Sequence, residues 1–224
     1  MAKLFLLRHL QSQWNLENRF TGWTDVPLSK KGIKGVKKLA SKISKFKIDV
    51  IYTSPLARNW ETVSRVLMET NKKYPIFLHF KGKMKKWGNF KDLDSNYIPV
   101  YVSEKLNERY YGKLQGFNKK ASIKKYGSKK VHEWRRGFNQ GPPGGEKLKD
   151  TFKRTTPFFK KYIQKDLKKG RNVLIVASHN SLRALVKHIE NISDKEIINL
   201  EIPVGTLIEY RLNKSLTIKS KKTL

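Results

Sequence analysis

A chain of 224 residues, 38% of them hydrophobic, is long enough to form one α/β domain with a sizeable core, which argues against global disorder. No apolar run approaches the ~18 residues of a membrane span, and the lack of cysteine excludes disulfides, thiolate nucleophiles and cysteine-based zinc sites, so we predict a cytoplasmic protein. The formal net charge of +31 indicates an anionic partner (nucleic acid, an acidic membrane surface or a small phosphorylated substrate) unless the lysines are merely solvated surface.

The first part of the chain alternates predicted strands with predicted helices. Residues 3–7 form an apolar run typical of a buried parallel strand, which would deliver Arg8 and His9 at its carboxyl end. Ser29 is predicted to cap a helix whose apolar positions follow helical spacing. A second strand is predicted over residues 49–53 and a second helix over residues 56–67.

The second part of the chain continues this alternation. A long amphipathic helix is predicted over residues 146–168, a buried strand over 172–177 and a further helix over about 181–190. A strand pair, 206–212 and 216–218, closes the chain. Alternating units of this kind predict an α/β fold with three layers, in which helices flank a mostly parallel central sheet.

The stretch at about 71–103 interrupts this pattern. It has poor periodicity and mixes lysines with aromatic side chains. The chain is predicted to form a single domain over residues 1–224, with this basic and aromatic stretch as an insertion. A hairpin, a lid or a partner-binding element would each fit the stretch, and the same mixture can provide stacking for single-stranded nucleic acid.

Several basic and polar residues are predicted to meet at one edge of the sheet. A histidine at a strand end is by itself more often structural than catalytic. Here the candidates all fall at strand ends, helix starts or loops, as in an anion site built on an open α/β sheet. They are Arg8, His9, Asn15, Arg58, Arg135, Arg136 and His179. Two histidines with several arginines suit phosphoryl transfer through a phosphohistidine, and neither a phosphate-binding glycine loop nor metal-ligand spacing competes with this interpretation.

Five sequence blocks carry a resemblance to a known family. In chain order they are LLRHLQSQWNLENRFTGWTDVPLSKKG, TSPLARNWET, LNERYYGKLQGFNK, VHEWRRGFNQGPPGGE and SHNSLRALVKHIE. Together they strongly resemble the cofactor-dependent phosphoglycerate mutases of the histidine phosphatase superfamily. The resemblance covers nearly the whole chain apart from the predicted insertion, and the third and fourth blocks favour the mutase branch over a general phosphatase.

The resemblance implies a role for each matching residue. His9 would be the phosphorylated nucleophile, Arg8 and Arg58 would hold its phosphoryl group, and Glu108 would exchange a proton with the substrate hydroxyl. The pocket and substrate contacts would come from Asn15, Thr21, Gly22, Arg109, Tyr111, Lys119, Arg135, Arg136 and Asn180. The alternatives are that Arg58 forms an ion pair on a helix surface, that Glu108 is a structural partner of an arginine, and that Arg135 and Arg136 are part of the basic surface.

Two departures from the family pattern concern the histidines. Leu10 follows His9 where the family has glycine, and the family's second His-Gly pair aligns with Ser178-His179. We predict that the His179 imidazole reaches the phosphoryl site, because a hydroxyl cannot replace an imidazole there, and that Ser178 serves as a helix cap or as a hydroxyl bonded to the backbone. This shift would be eased if Asn180 were left-handed and if Leu10 filled space beside His9.

The resemblance implies interconversion of 3-phosphoglycerate and 2-phosphoglycerate, primed by 2,3-bisphosphoglycerate and independent of a metal ion. The partner would then be a small phosphorylated molecule, neither a membrane nor nucleic acid, and self-association stays open. A phosphatase for another phosphomonoester is the second hypothesis, because the surroundings of both histidines differ from the family pattern. A nucleic-acid-binding protein is the third, and steep weakening of binding with salt would identify it.

Overall fold

A computed structural model describes all 224 residues, which form a seven-stranded sheet with helices on both faces. The strands are β1 (Ala2–Arg8), β2 (Val50–Thr53), β3 (Tyr74–His79), β4 (Tyr97–Val102), β5 (Val173–Ala177), β6 (Leu207–Leu212) and β7 (Ile218–Thr223). Their order across the sheet is β3-β4-β2-β5-β1-β6-β7. The first five in this order are mutually parallel, whereas β6 runs antiparallel to β1 and to β7. The predicted α/β fold with a mostly parallel central sheet is confirmed.

Ten α-helices connect and cover the strands. They are α1 (Gln13–Leu16), α2 (Lys30–Lys34), α3 (Val36–Ile43), α4 (Ala57–Thr70), α5 (Gly82–Trp87), α6 (Lys119–Tyr126), α7 (Ser128–Arg136), α8 (Leu148–Phe158), α9 (Gln164–Lys168) and α10 (His179–Glu190). Short 3₁₀ turns lie at Glu104–Leu106, Gly112–Leu114 and Glu196–Asn199. Ser29 caps α2, its hydroxyl accepting a hydrogen bond from the Gly32 N–H at 3.0 Å.

Alternation along the central strands divides the core between the two faces of the sheet. Leu4 and Leu6 pack with the side chains of α8, α9 and α10, whereas Phe5 and Leu7 pack with those of α3 and α4. Burial of both faces explains why these strands read as continuous apolar runs. The three layers hold the carboxyl ends of β1, β2 and β5 side by side.

The helix predicted over residues 146–168 is not continuous. A wider π-helical turn, Phe159–Ile163, separates α8 from α9. Pro157 lies inside α8, two residues before this turn, and has no backbone N–H to donate within the helix.

The stretch predicted as an insertion contributes to the sheet. Within residues 71–103, β3 pairs with β4 at the edge of the sheet, and β4 pairs with β2. The connection that carries α5 lies outside the sheet and exposes 68% of Trp87. The weak periodicity of the sequence here reflects an edge strand, β3, that is mostly only half-buried.

Candidate active site

A polar cleft lies where β1, β2 and β5 end, the position at which open α/β sheets bind ligands. It is lined by Arg8, His9, Asn15, Arg19, Phe20, Thr21, Gly22, Arg58, Glu108, Tyr111, Lys119, Arg135, Arg136, His179, Asn180 and Glu201. Thirteen of the fourteen residues predicted for the site are in this set, and their roles remain predictions. Residues from distant parts of the sequence therefore converge on one largely cationic cleft.

His9 is buried at the end of β1 and is held as a neutral imidazole. Its Nδ1 lies 2.6 Å from the Leu10 carbonyl oxygen. Because a carbonyl only accepts hydrogen bonds, we assign the proton to Nδ1, which leaves a lone pair on Nε2. Burial, reinforced by the positive charges of Arg58 and Arg8, holds the pKa of His9 well below its usual value. A neutral imidazole with a free Nε2 is the form that can attack phosphorus.

Arg8 and Arg58 place two cations beside His9. Arg58 is 1% exposed, and its guanidinium donates to the carbonyl oxygens of Gly22 at 2.7 Å and Thr24 at 3.1 Å. Burial lowers its pKa to about 10, so it stays charged at neutral pH. It has no acidic partner within salt-bridge distance, which rules out the helix-surface ion pair considered from the sequence. Arg8 donates to the Ile202 carbonyl at 2.6 Å.

Glu108 is a buried carboxylate at the side of the cleft. Its Oε1 accepts hydrogen bonds at 2.7 Å from the Arg109 backbone N–H and from Asn180 Nδ2. Burial favours the neutral acid, but the opposing effects of His179, Asn180 and Arg109 leave the pKa of Glu108 lowered. The group is therefore ionised at neutral pH and able to accept a proton. It forms no ion pair with an arginine side chain, contrary to the purely structural alternative.

Asn180 is fixed from both ends of its side chain. Its Nδ2 also donates to the Tyr111 hydroxyl at 3.2 Å, and its Oδ1 accepts from Arg183 Nη1 at 3.0 Å. Arg183 donates in addition to the Arg136 carbonyl at 2.9 Å. Sequence reasoning missed Arg183, which lies outside the cleft and holds two of the residues that line it.

Arg109 is the one predicted site residue that does not line the cleft. It is fully buried behind the lining, where its Nη2 donates to the Tyr111 hydroxyl at 3.1 Å and to the Arg135 carbonyl at 2.7 Å. Its guanidinium also lies over the Tyr111 ring at 4.9 Å. Arg109 therefore supports Tyr111 and Arg135 from behind, a position that the sequence spacing could not distinguish from direct contact.

The second histidine lies at the start of α10. His179 is the first helical residue, its ring lines the cleft, and its Nε2 is 3.3 Å from both Glu201 Oε1 and Arg136 Nη1. Burial lowers its pKa to about 4, although Glu201 acts in the opposite direction. Ser178 is the N-cap by position, but its hydroxyl accepts from Asn59 Nδ2 at 3.2 Å and makes no capping bond. The expected cap hydrogen bond is absent, and the hydroxyl is bonded to a side chain and not to the backbone.

Two expectations about how the chain accommodates this shift are wrong. Asn180 lies in the first turn of α10 and is not left-handed, because the helix begins earlier than predicted. Leu10 does not line the cleft beside His9. Its side chain enters the core near Gly35 and Gly205, where an added Cβ on either glycine would lie 3.4 or 3.3 Å from Leu10 Cδ2. These two glycines provide the room for a side chain at position 10.

Sequence reasoning missed three lining residues: Arg19, Phe20 and Glu201. Arg19 and Phe20 lie inside the first of the five sequence blocks, between Asn15 and Thr21, so their position in the block could have identified them. Glu201 gave no such signal, because a carboxylate is unexpected in a cleft that attracts anions. No group of three or more His, Asp or Glu side chains is arranged to hold a metal ion. No helix has the length and apolar character needed to cross a membrane.

The two neutral histidines predict a loss of stability in acid. The folded-state pKa values of His9 and His179 lie below the usual 6.5, and that of His179 is about 4. At a pH between the folded-state pKa of a histidine and 6.5, the unfolded chain therefore binds more protons than the folded protein. The free energy of unfolding should fall as pH drops below 6.5, by up to about 1.4 kcal/mol per pH unit for each histidine. Urea unfolding between pH 7 and 5 measures how the free energy of unfolding depends on pH. His179→Gln should make this dependence shallower by the contribution of one histidine. An unchanged slope in that variant would contradict the prediction.

Comparison with known proteins gives one superfamily and a set of relatives that share one name. Residues 4–79 and 91–218 match the model of the histidine phosphatase superfamily, branch 1. The chain is 45% identical over 216 residues to a 2,3-bisphosphoglycerate-dependent phosphoglycerate mutase of Methanococcus vannielii, covering 96% of this chain and 92% of that one. It is 41% identical to the protein of the same name from Protochlamydia amoebophila, over 99% and 100% of the two chains.

Among solved structures, the fold is similar to that of a mycobacterial hydrolase, with a TM-score of 0.76 and 19% identity over 100% and 96% of the two chains. At this identity the likeness concerns the fold alone. The gap in the family match, residues 80–90, falls on the connection that carries α5.

Proposed function

The chain belongs to the histidine phosphatase superfamily, and from its cleft and its relatives we propose that it is an enzyme that interconverts 3-phosphoglycerate and 2-phosphoglycerate through a phosphohistidine. The observation that carries the proposal is the neutral imidazole of His9, with Nε2 free, beside Arg8, Arg58 and the ionised Glu108. A nucleophile, cations for the phosphoryl oxygens and a proton acceptor are the groups that this reaction needs.

In the proposed mechanism, phospho-His9 transfers its phosphoryl group to the free hydroxyl of the bound monophosphoglycerate. The bond from Nε2 to phosphorus breaks while the substrate oxygen bonds to phosphorus, and Glu108 takes the hydroxyl proton. The resulting bisphosphate then returns its other phosphoryl group to His9, and Glu108 gives its proton back to the oxygen that leaves. Arg8 and Arg58 balance the negative charge on the phosphoryl oxygens during both transfers.

The priming donor suits the cleft. The names of the relatives indicate that those proteins depend on 2,3-bisphosphoglycerate. In this chain the same molecule would supply the phosphoryl group that first phosphorylates His9. Five cationic side chains line the cleft and would bind the anionic groups of the bisphosphate: Arg8, Arg58, Arg135, Arg136 and Lys119. Burial, together with the nearby Arg135 and Arg8, lowers the pKa of Lys119 to about 8, so this lysine is largely charged at neutral pH.

A coupled mutase assay tests the proposal. Turnover of 3-phosphoglycerate should depend on added 2,3-bisphosphoglycerate and persist in the presence of a chelator. Inorganic phosphate should be measured in parallel, since its release well above mutase turnover would favour a phosphatase. Turnover lost on chelation would contradict the metal-independent mechanism.

Glu108→Gln should lower kcat by at least about 10²-fold and leave KM nearly unchanged, because the amide keeps the shape of the group and loses its basicity. We expect the lower end of the usual range for acid and base catalysis, since water in an open cleft can take the proton in part. Steady-state kinetics of the variant measure both constants. Unchanged turnover would remove Glu108 from the mechanism.

A further inference from the structure

Glu201 is a carboxylate placed among the cations of the cleft. It lies between the 3₁₀ turn Glu196–Asn199 and β6, and the next residue, Ile202, provides the carbonyl that accepts from Arg8. Unlike the deeply buried Glu108, its side chain is 48% exposed. One oxygen forms an ion pair with Arg136 Nη1, and the other lies 3.3 Å from His179 Nε2. Glu201 therefore engages two groups that the mechanism would use to bind phosphate.

The hydrogen bonds around His179 show that these contacts compete. Arg136 can only donate and the ionised Glu201 can only accept, so a single Nε2 can satisfy one of the two neighbours. Although burial opposes ionisation, the contacts with His179 and Arg136 lower the pKa of Glu201 to about 2. The carboxylate thus remains charged at any working pH, and an anion that bound Arg136 would meet a permanent negative charge beside it.

We propose that Glu201 is a specificity-determining residue that weakens the binding of highly charged anions by competing for Arg136 and His179. The inference rests on the proposed function in its choice of ligands. Repulsion between a fixed charge and a ligand grows with the charge of the ligand, so a bisphosphate loses more affinity than a monophosphate. In a cleft with this many cations, the effect limits trapping of the enzyme by its own bisphosphate intermediate and primer.

Direct binding measurements test this role without requiring turnover. Calorimetric titration at constant ionic strength should compare the protein native at position 201 with Glu201→Gln, both carrying His9→Gln so that the bisphosphate binds without phosphorylating the protein. The ligands are inorganic phosphate, 3-phosphoglycerate and 2,3-bisphosphoglycerate. Glu69→Gln is the matched control, because it removes the same charge from an exposed position on α4. Constant ionic strength is needed because salt screens a half-exposed charge.

Glu201→Gln should bind inorganic phosphate about threefold more tightly and 2,3-bisphosphoglycerate about tenfold more tightly, a moderate effect because the carboxylate is half-exposed. Glu69→Gln should leave every affinity within about twofold of the native value, the small effect expected of an exposed charge. Equal or weaker binding in Glu201→Gln would overturn the proposal and assign the carboxylate to holding Arg136 in place. Equal tightening for phosphate and bisphosphate would overturn the selectivity. Failure of the mutase assay with these binding changes intact would contradict the proposed function alone.

Discussion

Replacing His9 with alanine should abolish both acid-labile phosphorylation of the protein by 2,3-bisphosphoglycerate and mutase turnover. The expected loss in kcat is on the order of 10⁶-fold, as when a covalent nucleophile is removed from other enzymes. No other side chain can take over, because His179 has its Nε2 between Arg136 and Glu201. Labelling with isotopic bisphosphate and quenching at neutral and acidic pH measure the phosphohistidine directly.

The control for this experiment is His132→Ala, which removes an exposed histidine from α7. It should label and turn over like the native protein. Because His9 is buried, His9→Gln should be tested alongside the alanine variant, with thermal unfolding to verify that both fold. Retention of labelling or of full turnover in a folded His9 variant would disprove the assignment of the nucleophile.

The sheet and most of the site could be predicted because local patterns determine them. Continuous apolar runs predict β1 and β5, and helical spacing predicts α4 and α10 to within a few residues. Among the boundaries, the start of α10 has the largest effect on the site. The helix begins at His179, which places this imidazole in the first turn and makes a left-handed Asn180 unnecessary.

The errors concern features that depend on distant contacts. Arg109 and Tyr111 are two residues apart in one sequence block, yet only Tyr111 faces the cleft. The direction of the Leu10 side chain depends on Gly35 and Gly205, which belong to other parts of the chain. Glu201 contacts the guanidinium of Arg136 in α7 and the neutral imidazole of His179 in α10, and no local sequence pattern indicates such contacts. Sequence spacing determines neighbours along an element, whereas these contacts are decided by packing between elements.

The structure shows where the basic residues behind the net charge of +31 lie. Five lysine or arginine side chains of the predicted site line the cleft, and under the proposed function this part of the +31 would attract an anionic substrate. Most of the other basic residues are exposed on helices and loops, including the lysines of α5 and the three lysines of α6 that follow Lys119. The cleft therefore accounts for the positive charge at the site but not for the net charge of the whole chain.

His179→Ala should lower kcat by about 10³-fold, whereas Ser178→Ala should lower it by less than about tenfold, in keeping with the loss of one preorganised donor to a phosphoryl group. The imidazole lines the cleft, but the Ser178 hydroxyl is fully buried and bonded to Asn59 at 3.2 Å. The loss of that hydroxyl should reduce stability by about 1 kcal/mol, since Asn59 Nδ2 keeps its bond to Ser54 at 2.6 Å. Chemical denaturation and steady-state kinetics separate the two effects.

A double variant, Ser178→His with His179→Gly, restores the order of residues found in the family and provides the sharpest comparison. If the native chain uses His179, an imidazole at position 178 would have to replace a fully buried hydroxyl against Asn59, and activity should stay as low as in His179→Ala. Recovery of native turnover in the double variant, or a larger kinetic loss in Ser178→Ala than in His179→Ala, would show that position 178 faces the phosphoryl group. The identity of the second histidine is then decided by which backbone position faces the cleft, and the start of α10 at His179 favours the later one.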